Sequence, residues 1–157
     1  MSIQAGQQAP DFSLFDTDKN KVSLADQKGR NVVILFFPLA FTGVCTAELC
    51  SVRDNIATYN NTNAKVFGVS VDSLFSLGKF KTEQNLNFPL LSDFNKEASN
   101  AYDVLYEIFP SFDMQGVSKR AAFVIDAEGI VRYAEVCATP KDLPDFVAIQ
   151  QILADLN

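Results

Sequence analysis

The residues with the clearest capacity for chemistry are gathered between Pro38 and Cys50, in the run Pro-Leu-Ala-Phe-Thr-Gly-Val-Cys-Thr-Ala-Glu-Leu-Cys. They follow Val32-Val33-Ile34-Leu35-Phe36-Phe37, an apolar stretch that reads as a fully buried parallel strand. Pro38 cannot donate to a sheet ladder, so it ends that strand. Thr42 then reads as a helix N-cap, which puts Cys45 at the N3 position. A thiol in the first turn of a helix sits where free N–H groups and the macrodipole stabilise an anion. That setting favours thiolate over thiol. The segment thus presents a nucleophilic sulfur at the carboxyl end of a central strand, where open α/β sheets commonly carry their sites.

The other chemistry open to the chain is limited by what it lacks. It has no histidine and three cysteines, Cys45, Cys50 and Cys137. Without histidine there is no Ser–His or Cys–His dyad, no HExxH motif and no His-ligated zinc. Three thiolates alone make a poor structural zinc set, so neither metal nor cofactor is expected. Two cysteines five residues apart point to catalysis rather than a static staple in a reducing compartment. Any catalysis must activate sulfur with dipoles, hydroxyls and Arg or Lys.

Composition narrows the class further. At 157 residues the chain fits one domain, 1–157, with a respectable core. Apolar residues make up 48% and Phe numbers 14, which argues against disorder. A net charge of −6 argues against nucleic acid or anionic membrane as partners. No apolar run approaches the ~20 residues of a membrane span. The polar start, Met1 to Gln8, lacks a charged region leading into an apolar one. The expectation is a cytoplasmic protein.

The elements that must hold the cysteine segment can be read from pattern. Pro10–Leu14 and Lys21–Leu24 alternate weakly around the turn residues Asp16–Asn20, which predicts an N-terminal hairpin. Strand Val32–Phe37 is followed by a helix over Gly43–Tyr59, with Leu49, Val52, Ile56 and Tyr59 on its buried face. Lys65–Val71 is a second apolar strand, and Ser73 or Ser76 opens a helix ending near Asn85. Phe88–Asp93 is a short extended piece and Lys96–Tyr102 a short helix. Arg120–Asp126 and Ile130–Val136 are strands joined by the turn Ala127-Glu128-Gly129. A last helix runs from Leu143 to Leu156, with Phe146, Ile149, Leu153 and Leu156 on one face. Parallel crossovers that finish in an antiparallel hairpin and a helix describe a thioredoxin-like α/β sandwich. Its central sheet is mixed and carries an N-terminal β-hairpin extension.

Pro38-x-x-x-Thr42-x-x-Cys45 resembles the active-site signature of the peroxiredoxins. Phe36 to Gly43 is similar to the E-type alkyl hydroperoxide reductase subgroup, while Cys50, five residues after Cys45, has the Q-type spacing. The resemblance continues in order through Ala9-Pro10-Asp11-Phe12, Val69–Asp72, Phe88–Asp93 and Arg120–Asp126, nearly the whole chain. It implies that Cys45 is the peroxidatic cysteine and that Pro38 shields its thiolate from bulk water. It implies that the Thr42 hydroxyl both caps the helix through the Cys45 amide and donates toward the thiolate or a peroxide oxygen. Arg120 matches the family's active-site arginine, whose fork favours the thiolate and binds peroxide oxygens. Lys119 is the weaker alternative. Glu48 is either an ordinary acidic residue near a helix start or the group that orients Arg120 through an ion pair.

On this reading the Cys45 thiolate attacks R–O–O–H in line with the O–O bond. The Cys45 amide, Thr42 and Arg120 stabilise charge on the leaving oxygen. The products are an alcohol or water and a sulfenic acid. Cys50 then condenses with the sulfenate, under a geometric condition. Five residues of intact helix separate Cα atoms by about 8–9 Å, whereas a disulfide needs less than roughly 7 Å. The first turns of the helix must therefore unwind. Cys137 is a buried strand cysteine or a second or intermolecular resolving thiol.

The expected substrates are hydrogen peroxide or alkyl hydroperoxides, and the expected reductant is thioredoxin or a similar dithiol. A homodimer is expected from the Ala40-Phe41 loop, while the Q-type spacing points to a monomer. A general disulfide oxidoreductase is the rival within redox chemistry, against which the missing Cys-x-x-Cys counts. A peroxide-responsive sensor or interaction protein using the same sulfur is the rival from another class.

Overall fold

A computed structural model describes residues 3–156; Met1 and Ser2 of the polar start, and Asn157, lie outside it. Its frame is a seven-stranded mixed sheet, ordered β2-β1-β5-β4-β3-β6-β7. The strands are β1 (Ser13–Asp16), β2 (Lys21–Ser23), β3 (Asn31–Phe36), β4 (Ala64–Ser70), β5 (Leu90–Ser92), β6 (Ala121–Ile125) and β7 (Val131–Val136). The helices are α1 (Gly43–Asp54), α2 (Ile56–Asn61), α3 (Leu74–Gln84), α4 (Glu97–Ala101) and α5 (Phe146–Asp155). β3, β4 and β5 are mutually parallel, whereas β1 on β5, β6 on β3 and β7 on β6 are antiparallel. This is the thioredoxin-like sandwich with a mixed sheet, and the hairpin β1–β2 extends one edge.

Burial of both faces of β3 follows from its unbroken apolar sequence. Val33, Leu35 and Phe37 face a layer built by Leu49 and Val52 of α1, Tyr59 of α2, Leu77 and Phe80 of α3, and Ile149 and Leu153 of α5. Val32, Ile34 and Phe36 face Phe12, Leu14, Leu24, Ala98 of α4, Tyr102 and Phe123. At Gly68 a Cβ would come within 2.7 Å of Leu90 Cδ2 and 3.4 Å of Phe37 Cε1. The bare backbone there lets β5 and the end of β3 close on β4.

The differences from the sequence expectations are local and have chemical causes. β1 starts at Ser13 rather than Pro10, because Pro10 lacks a donor and Asp11 accepts from the amides of Phe12 and Ala25. The helix expected over Gly43–Tyr59 breaks at Asn55, whose backbone leaves the helical region and whose Nδ2 donates to Ser51 O at 2.9 Å. Ser73 rather than Ser76 opens α3, its Oγ accepting from the Ser76 amide at 3.1 Å, and Asn85 closes it in the left-handed region. α5 starts at Phe146 rather than Leu143, because Asp145 is its N-cap and accepts from Ala148 N. Among the described residues, no helix is long and apolar enough to cross a membrane.

Candidate active site

The site begins where β3 stops. Phe37 N still donates to Val69 O at 3.0 Å, and Ser118 Oγ donates to Phe37 O at 3.0 Å, which pins the strand end just before buried Pro38. The loop beyond it is held by Asp72, whose Oδ2 accepts from Ala40 N at 2.8 Å and from Ser70 Oγ at 2.6 Å. Phe41 adopts φ +66°, a left-handed conformation that a bulky side chain reaches only under such restraint. In the sequence Asp72 stands out only as the last residue of the motif Val69–Asp72. Its carboxylate turns out to set the loop that leads into α1.

Thr42 occupies the N-cap position of α1 with extended backbone, as expected. Its hydroxyl, however, donates to Leu39 O at 2.8 Å and makes no cap hydrogen bond. The expectation that it caps through the Cys45 amide is therefore corrected. The tight turn set by Asp72 and Phe41 brings the Leu39 carbonyl within reach, and a hydroxyl with a single proton gives it to that acceptor. The cap carbonyl starts the helix instead, accepting from Thr46 N at 2.9 Å and Thr46 Oγ1 at 2.7 Å. The N–H groups of the first turn, Cys45 included, have no intrahelical acceptor and face the helix N-terminus.

Cys45 lies in that turn, 1% exposed. Arg120, the residue before β6, comes to it from across the sheet, because β6 pairs with β3 and sets Ala121 opposite Phe36. Arg120 Nη1 lies 3.3 Å from Cys45 Sγ and 2.6 Å from Glu48 Oε1. Its Nε and Nη2 donate to the Pro140 carbonyl at 3.2 and 2.7 Å. The guanidinium is itself 1% exposed. Burial opposes its charge, but Glu48 and Cys45 outweigh that, and its pKa is raised. Lys119, the alternative cation, sits over the Tyr106 ring at 5.9 Å.

Glu48 is the other half of a buried ion pair rather than a solvated helix residue. Burial pushes its pKa up to about 7 against the lowering effect of Arg120. The two partners differ for a visible reason. Arg120 has the Pro140 carbonyl as a further acceptor, whereas Glu48 Oε2 is buried with no hydrogen-bond partner among the described residues.

Cys50 is on the same helix as Cys45, half-buried, with Sγ 3.5 Å from Gln84 Oε1 at the end of α3. Both are free thiols, as is Cys137. Arg53 ties the same stretch down, donating through Nη1 to Gln84 O at 2.6 Å, and Asn87 Nδ2 donates to Arg53 O at 3.2 Å. Cys137 follows β7, its amide donating to Arg120 O at 2.8 Å. Burial, helped by Glu135 and Glu48, raises its pKa to about 11, so it stays a protonated thiol at neutral pH.

The assembled groups are a buried sulfur at a helix N-terminus, a guanidinium on that sulfur, and an acid and a carbonyl that fix the guanidinium. Such a set stabilises negative charge on sulfur and on an oxygen leaving it. Pro140 was invisible to the sequence reading, because a backbone carbonyl has no side-chain signature.

The AhpC/TSA family model matches residues 5–134. Alkyl hydroperoxide reductase E of Mycobacterium tuberculosis is 37% identical over 137 residues, covering 85% of this chain and 86% of that protein. Among solved structures, a peroxiredoxin-like protein from Aquifex aeolicus superposes with a TM-score of 0.90 at 25% identity, covering 100% of this chain and 90% of the other. Peroxiredoxin Q from Xanthomonas campestris gives 0.77 at 27% identity, covering 92% and 89%. Similar proteins also include 2-Cys peroxiredoxins, so the likeness singles out neither the E-type nor the Q-type subgroup. With most of its length matched and a sulfur–guanidinium pair at its centre, the chain belongs to the AhpC/TSA family of peroxiredoxins, whose chemistry is thiol-dependent peroxide reduction.

Proposed function

We propose that this protein reduces hydrogen peroxide and organic hydroperoxides through Cys45, is resolved by Cys50, and is recycled by thioredoxin or a similar dithiol. The observation that carries the reading is the Arg120 Nη1 contact to Cys45 Sγ at 3.3 Å. The thiolate attacks the terminal oxygen of R–O–O–H and the O–O bond breaks. The departing oxygen takes a proton to become R–OH, and the sulfur keeps the other oxygen as sulfenic acid. Arg120 donates where negative charge grows, and the amides of the first turn of α1 add their dipoles. Thr42 and Pro38 shape the approach, and Glu48 holds Arg120. The Cys50 sulfur then attacks the sulfenic sulfur, an S–S bond replaces S–O, and water leaves. An external dithiol reduces the disulfide by exchange. Phe41, 53% exposed at this edge, supplies the apolar contact for a homodimer.

The test is intact and peptide mass mapping after one equivalent of peroxide. The expected product is a Cys45–Cys50 disulfide. A Cys45–Cys137 bridge would overturn the assignment of Cys50, and oxidation confined to another cysteine would overturn that of Cys45.

A further inference from the structure

Arg120 carries five N–H donors, and its four hydrogen bonds use them very unevenly. Cys45 and Glu48 share Nη1, while Nε and Nη2 both go to one atom, the Pro140 carbonyl oxygen. Aim in the plane of the guanidinium is therefore set by a carbonyl on a loop, twenty residues further along the chain. That loop is built to hold the carbonyl still. Thr139 N donates to Asp142 Oδ2 at 3.1 Å, and Asp142 N returns a bond to Thr139 O at 3.2 Å. Lys141 N donates to Thr139 Oγ1 at 3.3 Å. Pro140, inside this closed turn, has its φ fixed by its ring. The far end of the loop is moored as well. Asp145 N donates to Glu135 Oε1 at 2.9 Å, and Tyr133 OH donates to the same oxygen at 2.7 Å.

We propose that the Thr139–Asp142 turn is the device that aims Arg120 at Cys45, with Pro140 and Asp142 as positioning residues for the reaction. If the carbonyl withdraws, two buried donors lose their acceptor. The guanidinium then follows its remaining strong partner, Glu48, and rotates off the sulfur. Asp142 is exposed and touches none of the reacting atoms, so its effect on the sulfur travels through Pro140 and Arg120.

The inference rests on the reading that Cys45 and Arg120 carry peroxide reduction, and the experiment separates the two. Asp142→Ala and Asp142→Asn are made in the parent and in an Arg120→Met background. The rate of Cys45 oxidation by hydrogen peroxide and the pH profile of Cys45 alkylation are measured for each. Loss of one closing hydrogen bond in Asp142→Ala is expected to slow oxidation by about three- to tenfold. The alkylation profile is expected to move to higher pH.

The direction is diagnostic. Simple removal of a nearby negative charge would favour the thiolate and move the profile to lower pH. Asp142→Asn loses the same charge but keeps an oxygen acceptor, and is expected to restore the parent rate. In the Arg120→Met background, Asp142→Ala is expected to have no further effect, as for residues acting through one another. A parent-like Asp142→Ala, a profile moved to lower pH, or equal slowing in both backgrounds would overturn the proposal. Parent-like oxidation of Arg120→Met would instead sink the reading of the site on which it depends.

Discussion

Arg120 and Cys45 lie 75 positions apart in the chain, yet Nη1 and Sγ are 3.3 Å apart inside the protein. Their meeting depends on β6 lying antiparallel beside β3, so that Ala121 pairs with Phe36. One strand delivers the sulfur's helix and its neighbour delivers the cation. A shift of β6 by one residue would turn Arg120 to the opposite face.

Cys45→Ser is expected to abolish peroxide consumption without unfolding the protein, because oxygen replaces sulfur at nearly constant volume. Turnover in a folded variant, followed by peroxide loss and by circular dichroism, would move the site to another cysteine.

Arg120→Met is expected to slow sulfenate formation at least about tenfold through loss of a charge-assisted contact that strengthens as charge develops. It also strands Glu48 in the interior. Because the carboxyl can take up a proton near pH 7, the stability loss should be greater at pH 8 than at pH 6. Stopped-flow oxidation and urea unfolding at both values test the two halves separately.

Glu48 predicts a pH signature of its own. Burial raises its pKa from 4.5 to about 7 in the folded protein, so the native state binds the extra proton. The stability linked to that proton is complete below the unfolded value and is lost as pH rises through about 7. At about 1.4 kcal/mol per unit, a rise from 4.5 to about 7 sets the full change at roughly 3 to 4 kcal/mol. Glu48→Gln has no proton to lose there, so the difference between parent and variant should slope between pH 4.5 and 7 and level off above. Parallel unfolding curves over that range would contradict the assignment.

Cys50→Ser is expected to keep the first oxidation, lose dithiol-supported turnover, and reach sulfinic acid at lower peroxide doses than the parent. Normal cycling with thioredoxin would return Cys50 to a structural role.

Arg53→Met tests the path between those two sulfurs. Arg53 and Asn87 fasten the Cys50 stretch of α1 to the end of α3. Closing the proposed Cys45–Cys50 disulfide requires that stretch to unwind, since intact helix holds the Cα atoms about 8–9 Å apart. Loosening the tie should raise the rate of disulfide formation a few-fold and reduce over-oxidation. An unchanged rate, read by quenched mass mapping, would place the barrier elsewhere.

The sequence carried the sheet and the place of Cys45 at a helix N-terminus well, for physical reasons. A run such as Val32–Phe37 has few ways to bury itself. A proline, a threonine and a cysteine in that order after it announce a strand end and a helix start. Element limits were less legible, because Asn55 and Asp145 decide them through single side-chain hydrogen bonds. The acceptor of the Thr42 hydroxyl is not legible in sequence, because it depends on a turn held by Asp72, two residues past β4. The Pro140 clamp left no sequence trace, since the group that acts is common to every residue.

The antiparallel seating of β6 on β3 has a consequence in time. As the chain is made, Cys45 emerges long before Arg120 and Pro140, the groups that hold its sulfur's partner in place. A half-synthesised chain therefore offers a thiol without its guanidinium. These are contacts of high sequence separation, whose loop-closure cost must be met before they stabilise the chain. On the proposed reading of the site, the sulfur is armed only when β6 docks and the loop after β7 wraps back. Reactivity arrives with completion of the fold, so nascent or misfolded copies are poor targets for the oxidant that the finished protein meets.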